Sequence, residues 1–122
     1  KKVFKLFNYG NYERDFTYVE DLVKIMSNFL KIKKSKNYIY NICSSKPVKL
    51  KYLINVINKL TKKRILIDYL PRRKGEMIKT FGDNKKLKKT LNNIKFTKIE
   101  VGVKKTFNWY NNYKYKKELT FN

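Results

Sequence analysis

Val3-Phe4-Lys5-Leu6-Phe7-Asn8-Tyr9-Gly10-Asn11-Tyr12-Glu13-Arg14-Asp15-Phe16-Thr17-Tyr18-Val19-Glu20-Asp21 is the stretch whose reading decides the fold. Residues 3–7 interleave apolar side chains with lysine in the manner of a strand, and residues 8–11 are turn formers around a glycine that can take a positive φ. Residues 16–19 resume extended, β-prone chemistry, so the stretch reads as strand, turn, strand and helix start, an opening hairpin. Arg14 stands where the second strand begins. A rigid guanidinium held at a strand edge suits a phosphate or carboxylate, because its planar donors bind two oxygens at once. The plainer alternative is a surface arginine paired with Glu13 or Asp15.

Outward from there, Leu22, Ile25, Met26, Phe29 and Leu30 recur at i, i+3, i+4, i+7 and i+8, the apolar stripe of an amphipathic helix opened by Glu20 or Asp21. Residues 31–36 form a basic connector, residues 38–42 a short strand, and Ser44-Ser45-Lys46-Pro47 a turn. A second helix follows from about Leu50, with Leu53, Ile54, Ile57 and Leu60 on one side and no capping side chain at Lys49. Residues 64–70 read as a strand in which Ile65, Ile67 and Tyr69 alternate. Asp83 is the expected N-cap of a short helix over residues 84–91. Thr97 and Glu100 have the spacing of a capping box. The last helix runs from Ile99 with Val103, Phe107 and Tyr110 on its core face, and the chain beyond Asn111 is polar and expected to fray. Short strands and about four helices indicate an α/β lobe.

Leu70-Pro71-Arg72-Arg73-Lys74-Gly75-Glu76-Met77 is a basic loop after a strand. Such a loop can wrap an anion, with Gly75 permitting close backbone approach, or it can be a solvated basic turn.

The 122 residues allow one small domain. Hydrophobic residues make up 42% and aromatic residues 16%, which favours a packed fold over disorder. No apolar run approaches the roughly 20 residues that span a bilayer, and Lys1-Lys2 is not followed by a signal-peptide core, so a soluble, cytoplasmic protein is expected. The formal charge of +22 would ordinarily point to nucleic acid or an anionic surface. Lysine, asparagine, isoleucine, tyrosine and phenylalanine share A/T-rich codons, however, and the lysines occupy every segment, so the charge reads as compositional and nucleic acid as a minor expectation. Arginine occurs only at Arg14, Arg64, Arg72 and Arg73, which marks these four as candidates for a geometric need. Cys43 is the one cysteine, read as a small buried hydrophobe, so no internal disulfide forms. Histidine is absent, which removes Ser-His and Cys-His catalysis and most zinc sites; no catalytic and no metal-ligating residue is expected.

The wording Phe-Asn-Tyr-Gly at residues 7–10, followed by Arg-Asp-Phe-Thr-Tyr-Val-Glu-Asp at residues 14–21, closely resembles the extended short-chain dehydrogenase/reductase enzymes of the NAD-dependent epimerase/dehydratase family, and most closely UDP-glucuronate 4-epimerases. The resemblance covers residues 3–113 and corresponds to the C-terminal third of the family, its sugar-nucleotide-binding lobe. It implies that Arg14 contacts the nucleotide diphosphate. The loop at residues 70–77 resembles the Arg-Xaa-Gly-Asp loop of the same enzymes, which implies Arg73 for the phosphate and Glu76 for the ribose, Arg72 being a weaker substitute for Arg73. Two departures stand out: Lys74 replaces a common proline, and Glu76 is one methylene longer than the usual aspartate.

The resembled enzymes also carry an N-terminal dinucleotide-binding domain and a Tyr-Xaa-Xaa-Xaa-Lys pair. Neither is in this sequence. Glycine occurs only at Gly10, Gly75, Gly82 and Gly102, and Tyr110 with Lys114 matches the pair in spacing alone, at the end of a terminal helix. Together with the missing initiator methionine, this leads to the expectation of a fragment: residues 1–122 as a UDP-sugar-binding lobe, with no bound cofactor of its own. NAD would be held by the missing domain, and homodimerisation would belong to the whole enzyme. The other expectations are a basic module for nucleic acid or an anionic surface, and a remnant without function. A lobe parted from its neighbour is further expected to expose an apolar face and to be marginally stable.

Overall fold

The computed structural model describes residues 3–32 and 39–113. Among them the elements run β1 (Phe4–Phe7), a 3-10 turn (Asn8–Gly10), β2 (Glu13–Arg14), α1 (Val19–Leu30), β3 (Val48–Lys49), α2 (Leu50–Thr61), β4 (Ile67–Leu70), α3 (Lys85–Thr90) and α4 (Ile99–Asn112). Four helices with short strands make the small α/β lobe that the sequence indicates.

The opening stretch departs from a hairpin. β1 pairs with β4 in parallel, Phe4 opposite Ile67 through Phe7 opposite Leu70, while β2 pairs with β3 antiparallel, Glu13 opposite Lys49 and Arg14 opposite Val48. The cause lies in the turn: Asn8, Tyr9 and Gly10 take φ of 51°, 52° and 74° in succession, which carries the chain towards the start of α2 instead of back along β1. Gly10 is required there, because a Cβ would lie 2.8 Å from Leu6 Cδ2 and 2.9 Å from the Cβ of Lys51.

Two further strand expectations are corrected. Residues 16–18 are irregular and α1 begins at Val19. Residues 39–42 form no strand, and Tyr38 lies outside the described residues, as do residues 33–36 of the basic connector. Backbone groups in these segments are met by side chains instead of a ladder. Asp15 accepts from Ser44 Oγ at 2.5 Å, Ser45 N at 3.0 Å and Gly82 N at 3.3 Å, so one carboxylate gathers three segments. The strand read over residues 64–70 is confined to Ile67–Leu70.

Among the described residues Leu6, Tyr12, Ile25, Ile54 and Leu87 are the buried apolar ones, from β1, the segment before β2, α1, α2 and α3 in turn. On α2 the expected face is buried at Ile54 and half-buried at Leu53, Ile57 and Leu60. On α1 the cover is partial: Ile25 is buried and Phe29 half-buried, but Leu22, Met26 and Leu30 are exposed, since the apolar arc is wider than the surface this chain offers it. Tyr110 of α4 is likewise exposed, against the core role expected of it.

The helix caps also differ. Asp83 Oδ1 accepts from Lys85 N at 2.8 Å, supporting the start of α3, although the residue at the cap is Asn84. The capping box at Thr97 and Glu100 does not form. Lys98 is the N-cap of α4 without a side-chain bond, Thr97 gives both its amide and its hydroxyl to Asp21 of α1, and Glu100 accepts from the hydroxyl of Tyr52 on α2. Both side chains are drawn to other helices, where each bonds a partner that a local box does not offer: Thr97 a part-buried carboxylate and Glu100 a phenol hydroxyl. Among the described residues, no helix is long and apolar enough to cross a membrane.

Candidate functional site

Parallel pairing puts the carboxyl ends of β1 and β4 side by side, so the turn after β1 and the loop after β4 leave the sheet together. Crevices beyond the carboxyl ends of parallel strands are where α/β folds take ligands. Asn8 N donates to Pro71 O at 3.4 Å across this junction. Tyr12, 1% exposed, stands between the two segments, and its hydroxyl accepts from Arg73 N at 3.1 Å. Gly75 turns the loop at φ 81° with nothing near the place of a Cβ.

Arg14, Arg73 and Glu76, separated by up to 62 residues in sequence, are brought to this junction. Arg14 does not pair with Glu13 or Asp15 as its plainer reading had it. Its Nη1 donates to the main-chain oxygens of Glu13 at 2.8 Å and Met77 at 3.1 Å, and its Nη2 faces Glu76 Oε1 at 3.3 Å. The guanidinium carbon lies 5.2 Å from the centre of the Tyr12 ring. Arg73 is exposed, with its guanidinium 3.9 Å over the ring of Phe7, the last residue of β1. Glu76 Oε2 is shielded from solvent and has no hydrogen-bond partner. A buried carboxylate oxygen left without a donor is costly, and it can accept from a ligand hydroxyl only once the side chain turns it outward. The junction thus sets the guanidinium groups of Arg14 and Arg73 and the carboxylate of Glu76 close to one another. Arg72 is exposed and takes no part in it.

Tyr12, Phe7 and the Met77 carbonyl were not singled out by the sequence. Tyr12 alone left a signal, an aromatic residue two positions before Arg14 in a turn rich in small polar residues.

The chain's glycines do not fit a dinucleotide cofactor. A Cβ at Gly10 would meet Leu6 and Lys51 and at Gly82 the Cys43 sulfur at 2.4 Å, so these two serve internal packing; at Gly102 it would make ordinary contact with the Tyr18 ring at 3.4 Å, and Gly75 stands alone. Cys43 is half-buried against Gly82 with its sulfur 3.8 Å from Ser45 Oγ. Lys114, the partner of Tyr110 in the look-alike pair, lies outside the described residues. Among the described residues no group of three or more Cys, Asp or Glu side chains could hold a metal ion.

No family model matches the chain. It is 40% identical over 110 residues to an uncharacterized protein of Methanocaldococcus jannaschii and 32% identical over 110 residues to a UDP-glucuronate 4-epimerase of Thermodesulfobacterium geofontis, in each case over 89% of this chain and 33% of the relative. Among solved structures, UDP-glucuronic acid 4-epimerase from Bacillus cereus, in complex with UDP-glucuronic acid and NAD, superposes with a TM-score of 0.78 at 22% identity, over 90% of this chain and 35% of that one. UDP-glucose 4-epimerase of Thermotoga maritima, with UDP-glucose, gives a TM-score of 0.72 at 28% identity over 90% and 35%. Fold and sequence together relate this chain to the extended short-chain dehydrogenase/reductases, as a counterpart of their C-terminal portion. Within that class it is a relative of the UDP-sugar 4-epimerases. The chain spans about a third of the length of the relatives it matches.

Proposed function

We propose that residues 1–122 form the nucleotide-sugar-binding portion of an NAD-dependent UDP-sugar 4-epimerase of the UDP-glucuronate/UDP-galacturonate type, and that this portion performs no chemistry by itself. Arg14 and Arg73 supply positive charge for the diphosphate, and Glu76 accepts from the ribose. NAD and the proton-transferring groups belong to an N-terminal domain, against which this lobe holds the sugar in reacting position. A cytoplasmic location and a homodimer of the whole enzyme go with this reading.

The observation that carries it is the meeting, beyond the carboxyl ends of β1 and β4, of Arg14, Arg73 and a carboxylate with one buried, unpartnered oxygen. Cations beside a carboxylate suit a ligand that carries both phosphate and free sugar hydroxyls. The UDP-glucuronate type rests on the resemblance at residues 7–21 and on the Thermodesulfobacterium relative.

Calorimetric titration of the chain with UDP-glucuronate, UDP and a single-stranded oligonucleotide, each at low and physiological salt, tests the reading. Saturable binding of the first two that survives added salt and weakens about tenfold in Arg73→Gln is expected. Oligonucleotide binding that outcompetes UDP and collapses with salt would favour the basic-module alternative.

A further inference from the structure

A cleft lined by residues of β3, α3 and the segment entering α4 lies apart from the junction, whose Phe7, Tyr12, Arg14, Arg73 and Glu76 take no part in its wall. It encloses about 510 Å3, within the roughly 300–1,000 Å3 of small-molecule sites. The wall is of two kinds. Phe16, Val48, Ile94, Phe96 and Ile99 make an apolar surface, and Lys46, Lys88, Lys95 and Lys98 converge on it from three separate segments. Among the described residues no carboxylate pairs with any of these four lysines. Lysine is common throughout the chain, so its number decides nothing, but its company does. The groove between α2 and α4 has only Lys98 among the described residues, and the depression beside Tyr52 sets Lys49 and Lys51 against Glu13 and Glu100. The polar side chains of the cleft are already engaged: Ser44 gives its hydroxyl proton to Asp15, Thr97 gives its own to Asp21, and Glu100 accepts from Tyr52. A ligand that turned hydroxyls or a base edge to this wall would exchange water for few replacement bonds. A hydrocarbon body ending in an anion suits both parts of it.

We propose that this cleft is a binding site for a small hydrocarbon anion, a medium-chain carboxylate or alkyl phosphate taken singly from solution, with its chain against Phe16, Val48 and Phe96 and its charged end among Lys46, Lys88, Lys95 and Lys98. The site stands independently of the nucleotide-sugar reading. The chain supplies most of the affinity, and the lysines, being exposed, a smaller share that salt screens. A recess of this volume holds one short chain and admits no bilayer.

Amide NMR of the chain tests it, in titrations with octyl phosphate, octanol and inorganic phosphate below the micelle concentration and at fixed salt. Octyl phosphate is expected to shift the amides of Val48 and residues 94–99 and to bind at least about tenfold tighter than octanol or phosphate alone. Lys95→Gln with Lys98→Gln should weaken octyl phosphate about fivefold and octanol less than about twofold. Lys59→Gln with Lys63→Gln, the same loss of charge at exposed positions in and after α2, should change neither by as much as about twofold. Equal affinity of the Lys95/Lys98 variant and the wild-type chain for octyl phosphate would overturn the proposal. Shifts centred on α2 and α4 would overturn it too, by putting the hydrocarbon in the groove between those helices. So would uridine monophosphate shifting the same amides with the affinity of octyl phosphate, since the wall would then not select hydrocarbon. Shifts at residues 94–99 that appear with phosphatidylglycerol vesicles and not with monomeric octyl phosphate would make a membrane the occupant and overturn uptake of single chains. The nucleotide-sugar reading is judged apart from all of these, by UDP-induced shifts at residues 73–77.

Discussion

Gly82 shows how tightly single residues are bound into the frame of the site. A Cβ there would stand 2.4 Å from the Cys43 sulfur, and the Gly82 amide donates to Asp15, the carboxylate that also holds Ser44 and Ser45. Gly82→Ala is therefore expected to destabilise the chain by about 1–3 kcal/mol through overpacking, and Cys43→Ala in the same chain to restore part of that loss. Chemical denaturation of the single and double variants checks it; additive losses would mean that the sulfur is not what the methyl meets. At this scale the sequence was legible where side-chain type and local wording coincide. Arg14, Arg73 and Glu76 could be picked out because arginine is scarce in a lysine-rich chain and because two short stretches resemble a known family. Tyr12, Asp15 and the Met77 carbonyl could not, because Tyr12 and Asp15 meet backbone groups, and the Met77 carbonyl a side chain, of segments more than 25 residues away, and nothing local encodes that.

The helices were legible from their period, whereas their partners were not. α4 is fastened by three polar ties: Asp21 of α1 to Thr97, Glu20 of α1 to Lys105 at 2.8 Å, and Tyr52 of α2 to Glu100. Spacing alone had assigned Thr97 and Glu100 to each other. The two-residue strands β2 and β3 left no periodic trace at all, being too short for alternation to show. The ties carry a dependence on pH. The Lys105 hydrogen bond, with help from Tyr18, holds the Glu20 carboxyl below its ordinary 4.5, and the Tyr52 hydroxyl does the same for Glu100. A lowered carboxyl pKa contributes stability in full above the unfolded value, and that contribution is lost as pH falls through the folded one. The Tyr52 hydroxyl is raised above 10.0 chiefly by its bond to Glu100, so its contribution is present below that value and fades as pH climbs through the raised one. The gap in Tm between the wild-type chain and Tyr52→Phe should thus be widest at neutral pH and close towards both the acid and the strongly alkaline ends. A gap that stays constant from acid to alkali would show that the bond does not form.

For the whole molecule, two features oppose each other in solution. One side of α1 leaves Val19, Val23, Met26 and Leu30 exposed, the last at 89%, as an apolar stripe that no other described element covers. Against it stands a formal charge of +22 on 122 residues, which makes any two copies repel. The charge acts over a Debye length of about 10 Å at 0.1 M salt and far less at higher ionic strength, while apolar burial is not screened. Self-association of the chain is therefore expected to be suppressed at low salt and to grow as salt is added, and the charge-neutral pair Val23→Gln with Met26→Gln should remove the growth. Sedimentation at increasing salt measures it. The sign separates this face from the lysines, because any assembly driven by phosphate or another polyanion must weaken along the same series. A salt series in which the wild-type chain and the double variant behave alike would locate the association elsewhere than on α1, and would mean that the width of its apolar arc, the feature most plainly written in the sequence, has no consequence for the isolated chain.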